Sequence, residues 1–166
     1  LNTPTLVNSF TEYNTTFGGF VSGYELPLAI RAYFLNGGRT AYVVRAGGTD
    51  GAASTGVLVD TVPATTLTVT ATSQGVWGNT VVVIITNATD GVTNDYNLQV
   101  QVNGFVVETW PNLSNASSVA ANYASTVLNN PTTGSNYISV VVNKTTRPIN
   151  TAGVTLSTGA DPTVTD

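Results

Sequence analysis

The reading of the fold turns on one stretch, Tyr96-Asn97-Leu98-Gln99-Val100-Gln101-Val102-Asn103-Gly104-Phe105-Val106-Val107-Glu108-Thr109-Trp110. Tyr96, Leu98, Val100 and Val102 alternate with Asn97, Gln99, Gln101 and Asn103, the period of a half-buried strand. Asn103-Gly104 is the leading dipeptide of a type I′ hairpin, since both central positions need a positive φ. Phe105 to Trp110 is then the return strand, and Pro111 is expected to end it.

Strand patterns extend upstream. Leu67, Val69 and Ala71 alternate with Thr and should face inward. Gly75-Val76-Trp77-Gly78-Asn79 interrupts, and Val81-Val82-Val83-Ile84-Ile85 follows. Such an unbroken β-branched run predicts the middle of a sheet covered on both faces. Downstream, a helix should begin near Ser114 to Ser118. Its apolar positions Val119, Ala120, Tyr123, Ala124, Val127 and Leu128 give it one face to lay on a sheet. Asn129-Asn130-Pro131 stops it, and Tyr137 to Val142 reads as another strand. From Thr145 onward, Thr, Pro and Gly carry little core signal.

The first 49 residues read as helix, helix, strand. Thr5-Leu6-Val7 is a short strand or arm. Ser9-Phe10-Thr11-Glu12 matches a capping box, predicting a helix over Phe10 to Thr16 that stops at Gly18-Gly19. Leu26, Ile30 and Phe34, with Tyr33 beside them, mark a second helix with Pro27 in its first turn and a stop at Asn36-Gly37-Gly38. Ala41-Tyr42-Val43-Val44 reads as a buried strand. Gly47-Gly48-Thr49-Asp50-Gly51 is turn chemistry. No internal repeat at a fixed period is visible. The expected organisation is a core part over 1–49, a junction loop over 50–64, a hairpin-plus-helix subdomain over 65–144 and a return segment over 145–166. The fold class is α+β, β-rich, with mixed strands, a β-hairpin, and helices packed on one or both faces.

Composition narrows the chemistry. The 166 residues are 42% hydrophobic and only 8% charged, with no Cys, Met or His. Soluble domains average about 25% charged; here polarity comes from Thr, Asn and Ser, about a third of the chain. Without His or Cys there is no histidine general base, no thiol nucleophile, no disulfide and no zinc site of the usual kind. The net charge of −4, with five scattered cations, gives neither the basic stripe of nucleic-acid binding nor a polybasic membrane patch. No run approaches a membrane span, and no signal peptide is visible. The missing Met is read as the mark of a fragment or processed product.

Candidate sites dissolve one by one. Gly37-Gly38 and Gly47-Gly48 resemble phosphate loops, but Lys144 lies far from any glycine and no Walker or GxGxxG pattern occurs. No GxSxG or SxxK marks a serine nucleophile. Glu12, Glu25 and Glu108 are far apart in sequence, too far to read as a glycosidase pair. Asp60 and Asp95 read as caps or turn residues. Asp90-Gly91 and Asp95 lack the acidic positions of a calcium loop. The sequons at Asn14, Asn87, Asn112, Asn115 and Asn143 match what this much Asn, Ser and Thr produces by chance. Trp77 and Trp110 read as core plugs before sugar-stacking platforms. No catalytic, cofactor-binding or metal-binding residue is expected, nor any cofactor.

Three ordered stretches carry more. Phe34-Leu35-Asn36-Gly37-Gly38-Arg39-Thr40-Ala41-Tyr42-Val43-Val44-Arg45 resembles the NGG-then-YVVR block of contractile phage tail sheath proteins. Val7-Asn8-Ser9-Phe10-Thr11-Glu12-Tyr13 with Phe17-Gly18-Gly19 is similar to the family's SFxEFxxxFGG segment, and Gly75 to Asn79 to its GxWGN block. The hairpin, the Val107-Glu108-Thr109-Trp110-Pro111-Asn112-Leu113-Ser114 run and the Tyr-containing helix keep the family's order. Leu156-Ser157-Thr158-Gly159-Ala160-Asp161 resembles its LxGGxDG turn, with Thr158, Ala160 and Pro162 departing from it.

The resemblance implies a virion tail subunit, made in the host cytoplasm, that polymerises with its own copies around a tail tube and against a baseplate. It implies neighbours knit together by donated strands from an N-terminal arm and a C-terminal domain, both absent from this sequence, so the chain alone should be monomeric. No nucleic acid, membrane insertion or enzymatic activity is expected. A surface adhesin or carbohydrate-binding β domain is the alternative, and an enzyme a distant third.

Overall fold

A computed structural model of the chain describes residues 2–18, 20, 24–48 and 50–163. Among them are three helices and nine strands in three antiparallel sheets, a mixed α+β, β-rich fold as expected. Gly19, expected to help stop the first helix, lies outside the described residues, as do Leu1, Thr49 and Asp166. The chain divides into two units, Leu1–Gly48 with Val164–Asp166, and Thr49–Thr163.

In the first unit, β1 (Thr5–Val7) pairs with β2 (Ala41–Val43), bringing Leu6 opposite Tyr42 and Val7 opposite Ala41. Helix α1 (Phe10–Phe17) starts as its capping residues require: Ser9 Oγ accepts from Glu12 N–H at 3.0 Å. The Glu12 carboxylate returns to Asn8 N–H at 2.8 Å, one residue earlier than the standard box. Helix α2 (Leu26–Leu35) carries Pro27 in its first turn. Its Tyr33 ring lies over Gly38, where a Cβ would sit 2.3 Å from the ring, and its hydroxyl donates to Thr40 O at 2.7 Å. That close approach explains the glycine. Val7, Tyr13 and Val43 are the buried core, with Phe10, Phe17, Ile30, Phe34 and Ala41 packed on them. The expectation of a buried 41–44 strand fails, because Val43 alone is fully buried, Ala41 is half-buried, and Tyr42 and Val44 are exposed. Leu28 and Leu35 on α2 are exposed as well.

The second unit holds two sheets around one core. Strands β3 (Thr55–Val59), β4 (Thr65–Ala71) and β8 (Ile138–Val142) lie in the order β3-β4-β8. Strands β5 (Val81–Asn87), β6 (Asp95–Val102), β7 (Phe105–Ser114) and β9 (Thr151–Thr155) lie in the order β7-β6-β5-β9. Leu67, Val69 and Ala71 point inward, as their alternation with Thr predicts, and meet Val81, Val83, Ile85, Leu98 and Val100. Helix α3 (Ala124–Leu128) adds Ala124 and Leu128 to this core. Asn103 and Gly104 take φ values of 52° and 81°, the type I′ geometry their sequence predicts.

Four further expectations are corrected. Pro111 does not end β7, which runs to Ser114. Tyr96 pairs with Leu113 and Leu98 with Trp110, so Pro111 and Asn112 together face Asn97 in a bulge. β7 is an edge strand, where a missing N–H costs no ladder bond, and Asn112 N–H goes to Asn97 Oδ1 at 2.9 Å. The helix expected from Ser114 is only the short α3, because Ser114 pairs with Asp95 while the Asn115 side chain bridges Tyr96 and Thr146. Residues 55 to 59, read as junction, form β3. The segment after 145, read as lacking core signal, supplies β9 and the buried Leu156.

Candidate functional site

Two of the ordered motifs find each other across the second unit. Gly75 to Thr80 folds as a turn, a 3-10 segment spanning Val76–Thr80, and Trp77 O accepts from Thr80 Oγ1 at 2.7 Å. Asn79 projects from it onto the 156–161 strap. Its Oδ1 accepts from Gly159 N–H at 2.9 Å and its Nδ2 donates to Gly159 O at 3.0 Å. Buried Ser54 donates to the same Oδ1 at 2.8 Å, and Asp161 Oδ1 accepts from Val76 N–H at 3.1 Å.

Both glycines there answer to space. A Cβ on Gly159 would meet Ser54 Oγ at 2.1 Å and Gly75 O at 2.5 Å; one on Gly78 would meet Ser54 Oγ at 2.6 Å. Thr158, which departs from the glycine of the motif it resembles, sits at a φ of 69°, an uncommon region for a β-branched residue.

Further polar groups fasten loops to sheets. Glu108 accepts from Ser135 Oγ at 2.6 Å, Asn136 N–H at 2.8 Å and Trp110 Nε1 at 3.0 Å. Buried Tyr96 donates to Asn115 Oδ1 at 2.7 Å, and burial pushes its phenol far above the ordinary value. Asp60 Oδ1 accepts from Val62 and Ala64 N–H at 3.0 Å each, an Asx turn that closes the β3–β4 loop. These bonds, the Ala64 amide first, hold its carboxyl below the usual carboxylate range, with Thr146 and Lys144 adding to the effect. At the ends of the unit, Thr163 donates to Asp50 through both hydroxyl and N–H and likewise holds that carboxyl low.

The residues weighed as chemical sites are placed apart. Glu12 and Glu25 belong to the first unit and Glu108 to the second. Asp90 accepts from Val92 N–H in an Asx turn, and Asp95 opens β6. Among the described residues, no group of three or more His, Cys, Asp or Glu gathers to hold a metal ion. Lys144 is 3.7 Å from Asp60. Gly37 and Gly38 amides bond back to Phe34 and Tyr33 carbonyls, closing α2, and Gly47 N–H bonds to Asn2. Asn87 and Asn150 accept from Arg147, Asn143 accepts from Thr68, and Asn112 holds the 89 loop. Trp77 and Trp110 pack against the core with their indole N–H groups on Ser73 and Glu108, as plugs do. The roles of Asn79, Glu108 and Asn115 were not visible in the sequence. Their partners lie 80, 27 and 31 residues away, and no local pattern marks them.

No protein-family model matches the chain, and no curated protein matches it by sequence. Solved structures do. A sheath tail protein of Listeria innocua superposes with a TM-score of 0.67 at 21% identity, covering 99% of this chain and 32% of its own. The fold is that of sheath tail proteins. A second, from Desulfitobacterium hafniense, gives 0.64 at 16% identity over 99% of this chain and 33% of its own. In fold, then, the resemblance carried by the ordered motifs is borne out. The chain spans about a third of the length of either protein. No helix among the described residues is long and apolar enough to cross a membrane.

Proposed function

We propose that this chain is part of a structural subunit of a contractile tail sheath, in a phage or phage-like particle. Copies polymerise around a tail tube, against a baseplate, and contraction drives the tube through the host envelope. The observation that carries the reading is the chain-long match in fold to two sheath tail proteins, joined to motifs that keep the family's order.

The physics supports a mechanical role. Heterologous contacts that do not close build an open helical array. A surface poor in charge suits contacts that break and re-form, because few ion pairs must be desolvated and rebuilt. Energy held in subunit packing needs no nucleotide or metal, and we assign the protein no enzymatic activity. Its site of action is the virion tail, after assembly in the host cytoplasm. The carbohydrate-binding alternative loses part of its motive, since both Trp side chains are half-buried against the core.

Electron microscopy of the full-length protein tests this reading: helical tubes are expected, and amorphous or purely monomeric material overturns it. Light scattering on residues 1–166 alone should report a monomer.

A further inference from the structure

β5 has the composition of a strand buried on both sides, and within this chain one side is open. Val81, Val83 and Ile85 are core, while Val82 and Ile84 face outward, half-buried. Beside them in register lie Gln101 and Gln99 of β6, and beyond those Val106 and Thr109 of β7. Antiparallel sheets that face water alternate apolar-in with polar-out; here β-branched side chains stand on both faces. The Gln99 and Gln101 amides have no partner among the described residues.

Charge and size narrow what covers this patch. None of its six residues is charged, in a chain of net charge −4, so a second copy meets it without like-charge repulsion. Depletion of charge is also the compositional mark of an interface centre. Three strands by two outward rows measure about 200 Å² from strand spacing and rise. A stable pair in solution needs about 800 Å² per partner. The patch is therefore too small to hold a dimer, and suits a contact repeated many times.

We propose that the outward face of β5, β6 and β7 is a contact surface between copies of this chain in the assembled polymer, an inference that rests on the sheath reading. The contact is heterologous, as an open array requires.

The test uses the full-length protein with Gln99→Cys, and separately Thr109→Cys, alkylated by iodoacetamide and followed at the labelled peptide by mass spectrometry. Both thiols should react in dissociated subunits and slow by about tenfold or more on assembly, as burial shields a thiol. A variant that melts like the parent yet stays dissociated also supports the face. Equal rates in subunit and polymer overturn the inference while leaving the sheath reading intact. Slow reaction already in the subunit overturns it too, and assigns the cover to further chain of the same protein. Failure of the unsubstituted protein to polymerise removes the sheath reading and this inference together.

Discussion

Asn79 grips Gly159 by both backbone groups, accepting from its N–H at 2.9 Å and donating to its carbonyl at 3.0 Å. One side chain thus supplies the two hydrogen bonds that a neighbouring strand would supply. Asn79→Ala removes both and strands buried Ser54 as well. Leaving such groups unpaired is expected to cost about 2–3 kcal/mol. Urea unfolding monitored by tryptophan fluorescence measures it, and a loss below about 0.5 kcal/mol would show the latch to be idle.

Adjacent positions in the strap should respond with opposite signs. Thr158→Gly relieves a left-handed backbone at the cost of a looser unfolded chain, for a net gain of about 0.5–1 kcal/mol. Gly159→Ala drives a methyl into Ser54 Oγ and Gly75 O, and should cost about 3 kcal/mol or prevent folding. Thermal melts of the two variants against the parent separate these outcomes. Equal melting of both variants would refute the geometry.

Acid should weaken the protein through Asp50 and Asp60. Both carboxyls are held low in the folded state, by Thr163 and by the Ala64 and Val62 amides, so the unfolded chain binds protons more readily. Their contribution is full above the ordinary carboxylate value, about 3.9, and fades as pH falls through the lower folded values. Denaturation midpoints should drop from pH 5 to pH 2 and flatten in the Asp50→Asn, Asp60→Asn double variant. With no His in the chain, no step is expected between pH 5 and 8; a step there contradicts the account.

The two units should differ when made separately. Residues 50–163 bury sixteen apolar side chains in one cluster among the described residues. Their first and last segments are joined by the Ala52–Ala160 bridge and by Asp50 with Thr163. That piece should unfold in one cooperative urea transition. Residues 2–48, with three buried apolar residues, should stay largely unfolded by circular dichroism, because so short a piece buries a smaller fraction of its surface. Cooperative melting of the smaller piece would show its core to be sufficient by itself.

The parts of the fold legible in the sequence were those written at short range. The 96–110 hairpin declares itself by alternation and Asn103-Gly104, and α1 by Ser9 and Glu12. Parts decided by distant partners were not. Asn115 abandons the helix it was expected to help start because Tyr96 and Thr146 capture its amide. Pro111 stays in a strand because an edge and the Asn97 side chain absorb it. β3 and β9 contain Gly56 and Gly153, which weaken a local strand pattern. Gly56 is needed because a Cβ there would meet Leu156 at 2.6 Å. The motif blocks at 75–79 and 156–161 were visible as patterns, but their mutual grip across 80 residues was not.

The junction of Asp50 with Thr163 has a mechanical consequence. Beside it, Ala52 and Ala160 exchange both backbone bonds, at 3.0 and 2.9 Å, so the two ends of the unit are clasped side by side. Tension applied at residues 50 and 163 is carried by those few hydrogen bonds, loaded at one end. The sheets behind them lie off the load path, and a pulled subunit should give at this clasp before its core is strained.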